Sequence, residues 1–178
     1  MEGCQKIKAM LVFLDTEFTD FVRPDLISLA LVSEDGREFY AERTDFCEDD
    51  CSDFVRETVL PLLGGVPDAA CNRSELTQRL HEWFEQLPEP ATIVYDFESD
   101  WLLLTDAILG RTYKSPPANF GEPLHLGRSS ITHPVFERAQ NLTYTENWPP
   151  HHALVDARAL MAGYRAWHQF MEKIWRIQ

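Results

Sequence analysis

Two carboxylates stand at the end of an apolar stretch near the start of the chain. Asp15 and Glu17 fall within residues 11–18, whose apolar first half predicts a buried strand. Side chains alternate along a strand, so the two carboxylates project from the same face. Like charges held together repel and are costly to desolvate, so the pair predicts a divalent cation, Mg²⁺ or Mn²⁺. The alternative is a solvated strand end with two ordinary surface acids, and this stretch alone does not decide.

A third carboxylate, Asp100, stands where a predicted strand over residues 91–97 gives way to a predicted helix over residues 99–109. The helix dipole stabilises an acid in the first helical turn, so simple capping is the alternative to a metal-binding role. Asp96 competes with Asp100 for such a role, but it lies inside the predicted strand.

The fourth acid is Asp156, five residues after His151. Residues five apart on a helix differ by roughly 500°, so the two side chains do not share a face. Pro150 is suited to a helix start, which places His151 in the first turn or the loop before it and Asp156 on the helix wall. Imidazole titrates near neutrality, so His151 suits a general base acting on water. His152 is the alternative base, although its position favours a surface or packing role.

The elements that must position these residues begin with strands and continue with alternating strands and helices. Apolar runs predict strands over residues 11–18, 26–32, 38–43 and 91–97, and Asp35-Gly36 predicts a hairpin turn. Helical spacing and breaker residues predict a loop over 111–130 and helices over 52–63, 73–87, 99–109, 133–140 and from Pro150 onward. Three antiparallel N-terminal strands joined to parallel ones predict an α/β mixed sheet with helices on both faces.

Composition limits the class of protein. A chain of 178 residues with 44% hydrophobic residues suits one packed domain, residues 1–178, with residues 1–9 as a loose extension. A net charge of −13 argues against coating long nucleic acid through a broad basic surface. The four cysteines form no zinc pattern and are expected as free thiols. Neither a membrane-spanning run nor a signal peptide is recognised, so a cytoplasmic location is expected.

Three of these stretches together resemble the DEDDh 3′–5′ exonucleases, a group similar in fold to ribonuclease H. The resemblance is carried by residues 15–18, by Asp100 and by residues 151–157. Residues 25–42 and 54–63 further resemble the polyadenylate-specific exoribonuclease (RNase AS-like) family. The order and spacing of the motifs across most of the chain make the resemblance specific.

The resemblance implies an activity and a role for each residue. Two divalent metal ions, Mg²⁺ or in its place Mn²⁺, would be held by Asp15, Glu17, Asp100 and Asp156. His151 matches the general base, Phe18 is expected against the terminal base, and Thr16 beside the substrate. Trp101 and Trp148 are candidates for stacking on bases, with core packing as their alternative. The implied reaction releases nucleoside 5′-monophosphates from the 3′ ends of single-stranded RNA.

The resemblance also implies a homodimer. An acidic subunit has little basic surface to attract a 3′ tail, and a partner subunit could supply Lys or Arg beside the site. The candidates are Arg37, Arg43 and Lys114.

Two other functions stay open. A DNA 3′–5′ exonuclease of the proofreading or repair type would share every catalytic residue, because contact with the 2′-hydroxyl separates RNA from DNA. No motif in the sequence reports that contact. A catalytically silent nucleic-acid-binding module on the same fold is the other alternative, although such a module would not need four acids and a histidine.

Overall fold

Six strands form one mixed sheet within residues 9–110 and 113–176, the part of the chain that the computed structural model describes. The strands are β1 (Met10–Phe18), β2 (Leu26–Ser33), β3 (Glu38–Arg43), β4 (Ala70–Cys71), β5 (Ala91–Tyr95) and β6 (Pro123–His125). Their order across the sheet is β4-β3-β2-β1-β5-β6. β2 is antiparallel to β1 and β3, whereas the β1–β5, β5–β6 and β3–β4 pairs are parallel. The predicted combination of three antiparallel strands with parallel ones is confirmed.

The first three strands form the antiparallel half of the sheet. All eight residues of β2 are buried, as expected for a central strand covered on both faces. Gly36 makes the turn between β2 and β3 with φ at +91°, a conformation that residues with a side chain rarely adopt. The hairpin predicted from Asp35-Gly36 is therefore confirmed.

The helices alternate with the later strands. They are α1 (Asp53–Thr58), α2 (Arg73–Glu85), α3 (Glu98–Leu109), α4 (Arg128–Ile131), α5 (Pro134–Asn141) and α6 (Ala153–Trp175). Asn72 and Glu75 form the capping box expected at the start of α2. The helix predicted over residues 52–63 ends at Thr58, and Pro61 lies in a separate 3₁₀ turn, Leu60–Leu62.

Helices cover both faces of the sheet. Alternate residues of β1 point to opposite faces and therefore pack against different helices. Val12 and Leu14 pack in the core cluster that α2 and α3 complete. Phe13 packs on the opposite side, with Phe136 of α5 and Leu160 of α6. Even-numbered residues of β1 thus face α2 and α3, and odd-numbered residues face α6.

The prediction of a loop over residues 111–130 is wrong for two short segments. Pro123–His125 forms the edge strand β6 beside β5, and α4 begins at Arg128. All three residues of β6 are exposed, so the stretch lacks the apolar alternation by which a strand is recognised in a sequence. Residues 111–112 lie outside the described part of the chain.

Strand β5 is two residues shorter than predicted, since it ends at Tyr95. Asp96 and Phe97 therefore lie between the sheet and α3 rather than within the sheet. Both residues follow the end of β5 and therefore lie beside the end of its parallel neighbour, β1.

Three further expectations concern the termini, the cysteines and the membrane. Residues 1–8 of the predicted loose extension lie outside the described part of the chain, as does Cys4. Cys47, Cys51 and Cys71 are free thiols. Among the helices described above, none has the combined length and apolar character that crossing a membrane requires.

Candidate active site

The carboxyl ends of β1 and β5 meet at the middle of the sheet. These strands are parallel neighbours, and the chain leaves β1 toward β2 on one side and β5 toward β6 on the other. Such diverging connections open a crevice at the carboxyl ends of the strands, where ligands bind in open α/β sheets. A cavity of about 490 Å³ lies there. It is lined by Asp15, Thr16, Glu17, Phe18, Asp20, Phe21, Ser52, Phe54, Val55, Asp96, Phe97, Asp100, His151 and Asp156.

Strand alternation divides the residues at the end of β1 between two helices. Asp15 and Glu17 point to the side of the sheet that α6 covers. Thr16 points to the α3 side, where its hydroxyl donates a hydrogen bond of 2.6 Å to Oδ1 of Asp100. Asp100 lies in the first turn of α3 and is only 2% exposed. The hydroxyl of Thr16 therefore fixes the orientation of a buried carboxylate, a role that the sequence alone does not suggest.

Asp156 is brought to the same cavity by the start of α6. The side chain lies in the first turn of the helix and accepts a 2.8 Å hydrogen bond at Oδ2 from the backbone N–H of His151. Tyr144 lies beside this carboxylate, because the charge of Asp156, after burial, raises the pKa of the Tyr144 hydroxyl. His151 itself precedes the helix, is exposed and has φ at +70°. The predicted placement of His151 in the loop and Asp156 on the helix wall is what the structure shows.

Burial and mutual repulsion raise the pKa of five carboxyls around the cavity. Burial, followed by the charges of Asp100 and Asp156, raises the pKa of Asp15 well above its usual range. Burial is also the main cause that raises the pKa of Glu17 to about 8 and the pKa of Asp100 to about 7. Burial likewise raises the pKa of Asp96 and the pKa of Asp156. A divalent cation would stabilise the ionised forms of these acids.

The donor atoms fit divalent cations. Glu17, His151 and Asp156 each offer one ligand atom, and these atoms lie within 4.8 Å of one another. Asp15 and Asp100 contribute further carboxylate oxygens to the same cavity. Oxygen ligands of this kind suit Mg²⁺ and Mn²⁺, and an added imidazole is compatible with Mn²⁺.

The protein without bound metal is expected to lose stability as the pH rises from about 4.5, the ordinary pKa of a Glu carboxyl, to about 8. Folding raises the pKa of Glu17 and Asp100, so the folded state holds more protons than the unfolded state across this range. The free energy of unfolding therefore falls with increasing pH. Thermal unfolding in EDTA at several pH values measures this slope.

Glu17→Gln is the matched control for this experiment, because glutamine has nearly the shape of glutamate but does not titrate. The variant should show a shallower dependence of melting temperature on pH. Mg²⁺ or Mn²⁺ added at pH 8 should raise the melting temperature of the unaltered protein, since a ligand that binds only the folded state stabilises it. A melting temperature that increases with pH through this range would contradict the crowding of the carboxylates.

Aromatic rings form an apolar wall beside the acids. Phe18 and Phe97 lie parallel, with ring centroids 6.2 Å apart and 5° between the planes. Phe21 is 79% exposed and meets these two rings edge-on at 5.3 and 6.0 Å. Phe54 of α1 meets the imidazole of His151 edge-on at 5.1 Å. Exposed aromatic faces beside a polar crevice are suited to stacking on nucleobases.

The structure corrects the expected stacking role of Trp101. Its half-buried ring stacks on Tyr95 at 5.9 Å and on Phe120 at 5.5 Å, against the core cluster between the sheet and α2 and α3. Trp101 thus takes the alternative role, core packing, because its place on α3 directs it to the core cluster. Trp148 lies outside the cavity lining as well and packs beside His152 and Arg158.

His152 takes the packing role that its position favours. It is 4% exposed, and its ring stacks on Tyr40 with centroids 4.8 Å apart. Burial lowers the pKa of His152, which favours the neutral form of the imidazole. Neither ring nitrogen has a hydrogen-bond partner among the described residues. The two neighbouring histidines therefore differ completely in environment, with His151 at the cavity and His152 in the packing below it.

Two of the basic residues considered for a partner's site are already engaged. Arg43 is buried and pairs with Asp25 and Asp45, each at 2.8 Å. Arg37 pairs with Asp35 in the hairpin turn at 2.9 Å. The suggestion that Arg43 reaches a second subunit is corrected by its burial.

Several residues that the site uses are not among those predicted for it: Asp96 and Phe97, and with them Phe21, Phe54 and Tyr144. The first two are hidden by a strand prediction that runs two residues too far. Asp is disfavoured in strand interiors, and that preference is the signal that could have ended the strand at Tyr95. Tyr144 reaches Asp156 across a loop, and no local pattern marks such a contact.

Comparison with known proteins gives two findings. No family model matches the chain. Two curated proteins, each named 3′–5′ exoribonuclease and each from a strain of Mycobacterium tuberculosis, are 47% identical to this chain over 55 residues. That match spans 30% of this chain and 33%, about a third, of the length of either relative. The predicted similarity to 3′–5′ exonucleases is thereby confirmed over one stretch.

The second finding is a likeness in fold. A solved structure of a moderately thermophilic Exonuclease I from Methylocaldum szegediense superposes with a TM-score of 0.56 and 16% sequence identity. The superposition covers 90% of this chain and 40% of that one. The predicted α/β fold, a mixed sheet with helices on both faces, is therefore one that an exonuclease also has.

Proposed function

We propose that the protein is a metal-dependent 3′–5′ exoribonuclease that releases nucleoside 5′-monophosphates from single-stranded RNA 3′ ends. The observation that carries the proposal is the meeting of four carboxylates and one exposed imidazole in a single cavity beside parallel aromatic rings. The acids supply metal ligands, the imidazole supplies a base, and the rings supply a place for a nucleobase. This set of four acids and one histidine leads us to propose the DEDDh type of exonuclease.

The proposed metal ligands are Asp15, Glu17, Asp100 and Asp156, and the proposed ions are two Mg²⁺, which Mn²⁺ could replace. Bound ions would stabilise the negative charge that develops on the attacking and leaving oxygens of the phosphodiester. The chain prepares the ligands in advance. Thr16 holds Asp100 by a hydrogen bond from its hydroxyl, and the backbone N–H of His151 holds Asp156.

His151 is proposed to accept a proton from the attacking water at its imidazole. The exposed ring is kept off the helix, and Phe54 contacts it edge-on, so it is oriented without being buried. Transfer of the proton to a positioned imidazole typically contributes about 10²–10⁴ in rate.

The substrate is proposed to be single-stranded because the base must leave its stack to enter the crevice. Phe18 and Phe97 would stack on the terminal base, and Phe21 and Phe54 add exposed apolar surface nearby. RNA is favoured over DNA by the names of the two Mycobacterium relatives, and a DNA exonuclease is the second candidate.

The remaining proposals concern the state of the protein. We propose that residues 1–178 form a single exonuclease domain and that the protein acts in the cytoplasm as a homodimer. Exposed apolar residues at the end of α6 offer surface for association: Phe170, Ile174 and Trp175. If sedimentation at working concentration gives the mass of one chain, the protein is a monomer and the proposed homodimer is wrong.

The experiment that tests the function uses two oligomers of the same sequence, one RNA and one DNA, labelled at the 5′ end. With Mg²⁺ or Mn²⁺ the RNA should shorten one nucleotide at a time, and the released product should be nucleoside 5′-monophosphate. EDTA should stop the reaction. Binding of RNA without any shortening would favour the silent binding module, and faster shortening of DNA would favour the DNA exonuclease.

A further inference from the structure

One carboxylate of the cavity is left without a role in the proposed chemistry. Asp96 follows the last residue of β5, is half-buried and lines the same cavity as the proposed metal ligands. Asp20 also lines the cavity, but its carboxylate accepts hydrogen bonds from the backbone of Val22 and Arg23. Asp96 is thus a further acid of the cavity lining that a bound substrate could meet.

Asp96 adjoins two parts of the site, the proposed metal ligands and the aromatic rings. On one side its charge acts on Asp15, Asp100 and Asp156, where the scissile phosphate would be held. On the other side the next residue is Phe97, whose ring lies parallel to Phe18. In a nucleotide the sugar lies between the phosphate and the base. Because Asp96 adjoins both the phosphate site and the base site, it is placed to meet the sugar.

The chemistry of a carboxylate narrows what it can recognise. An ionised carboxylate accepts hydrogen bonds and donates none, and it repels phosphate. The sugar of a ribonucleotide offers hydroxyl donors, and the 2′-hydroxyl is the group that distinguishes RNA from DNA. His125 is the nearby basic group, and its ring contacts the backbone carbonyl of Asp96 rather than the carboxylate. The carboxylate oxygens are therefore available to a substrate.

We propose that Asp96 is a specificity residue that accepts a hydrogen bond from the 2′-hydroxyl of the terminal ribose. This inference rests on the proposed exonuclease function and adds to it the choice of RNA over DNA at the 3′ end. A hydrogen bond to a charged group should favour a ribose end over a 2′-deoxyribose end by about tenfold to a hundredfold.

The test compares two RNA oligomers that differ only in the terminal sugar, ribose in one and 2′-deoxyribose in the other. The ratio of kcat/KM for the two oligomers is measured for the unaltered protein and for Asp96→Ala. The unaltered protein should prefer the ribose end by about tenfold or more, and Asp96→Ala should reduce the ratio to near one. Asp96→Asn keeps one acceptor oxygen and should retain part of the preference.

Glu98→Ala is the matched control, because it removes an exposed carboxylate two residues away that does not line the cavity. Its ratio should equal that of the unaltered protein. If Asp96→Ala is too slow to assay, the same ratio is read from equilibrium binding of the two oligomers in Ca²⁺.

Several results would overturn the inference while leaving the exonuclease function in place. One is a ratio near one in the unaltered protein, and another is an unchanged ratio in Asp96→Ala. A loss confined to oligomers ending in adenosine or cytidine would assign Asp96 to the amino group of the base instead. If the unaltered protein shortens neither oligomer, the proposed function fails, and the role of Asp96 fails with it.

Discussion

Replacing Asp15 with asparagine is expected to lower the rate of RNA shortening by about 10³-fold, the largest loss among the carboxylates. Asp15 stands at the centre of the cluster, since the charges of Asp100, Asp156, Glu17 and Asp96 all act on it. It is therefore the carboxylate that would contribute most to holding the metal ions. Asparagine has nearly the same shape but brings no charge, so the ions would bind weakly. Single-turnover cleavage at several Mg²⁺ concentrations measures the loss.

A misfolded variant would also be inactive, so stability must be measured beside activity. Asp15→Asn removes one of several repelling charges, and the metal-free variant should melt at the same temperature as the unaltered protein or higher at pH 8. Asp106→Asn is the control, because Asp106 is an exposed acid on α3 that pairs with Arg73 outside the cavity. Activity near that of the unaltered protein in Asp15→Asn would show that the other acids hold the ions without Asp15.

The main features of the site follow from local patterns, which is why the sequence predicts them. Alternation along β1 places Asp15 and Glu17 on one face, and this depends only on the strand being a strand. The last helix begins at Ala153 with His152 as its N-cap, so His151 precedes the helix. Prolines just before a helix are the local signal for such a boundary. The structure has both features, because each depends only on residues that are neighbours in the sequence.

Other features depend on contacts between distant parts of the chain and have no local signal. The hydrogen bond from Thr16 to Asp100 joins residues 84 positions apart. Tyr144 meets Asp156 only because a loop passes beside the start of α6. Trp101 was a plausible stacking residue by type, and only the packing of α3 on the sheet sends it to the core. Residue type states what a side chain could do, and tertiary packing decides what it meets.

The edge strand β6 is another feature without a local signal in the sequence. β6 has three exposed residues and pairs with β5 through backbone groups, so its side chains carry no pattern. The end of β5 was missed by two residues for a similar reason, since Phe97 reads as a strand residue by type. That small error is the reason to discount Asp96 as a site residue, whereas the structure places Asp96 at the cavity.

His151→Ala is expected to slow the chemical step by about 10²–10⁴-fold while leaving metal and RNA binding largely intact. The imidazole is exposed and its contact is an edge-on approach to Phe54, so its removal leaves no buried cavity. The backbone N–H of residue 151 still donates to Asp156 in the variant. Part of the lost rate should return at high pH, where hydroxide replaces the missing base. Single-turnover cleavage across pH, with RNA affinity measured in Ca²⁺, separates the two effects.

His152→Ala is the matched comparison and should show the opposite pattern. His152 is buried against Tyr40, so its truncation should lower the melting temperature through lost packing. The rate per folded molecule should change little, and its pH dependence should stay that of the unaltered protein, because the ring does not reach the cavity. If His152→Ala abolishes cleavage while His151→Ala does not, the general base is the second histidine. If His151→Ala instead loses RNA or metal affinity, His151 serves as a ligand, because a missing base would slow the reaction without weakening binding.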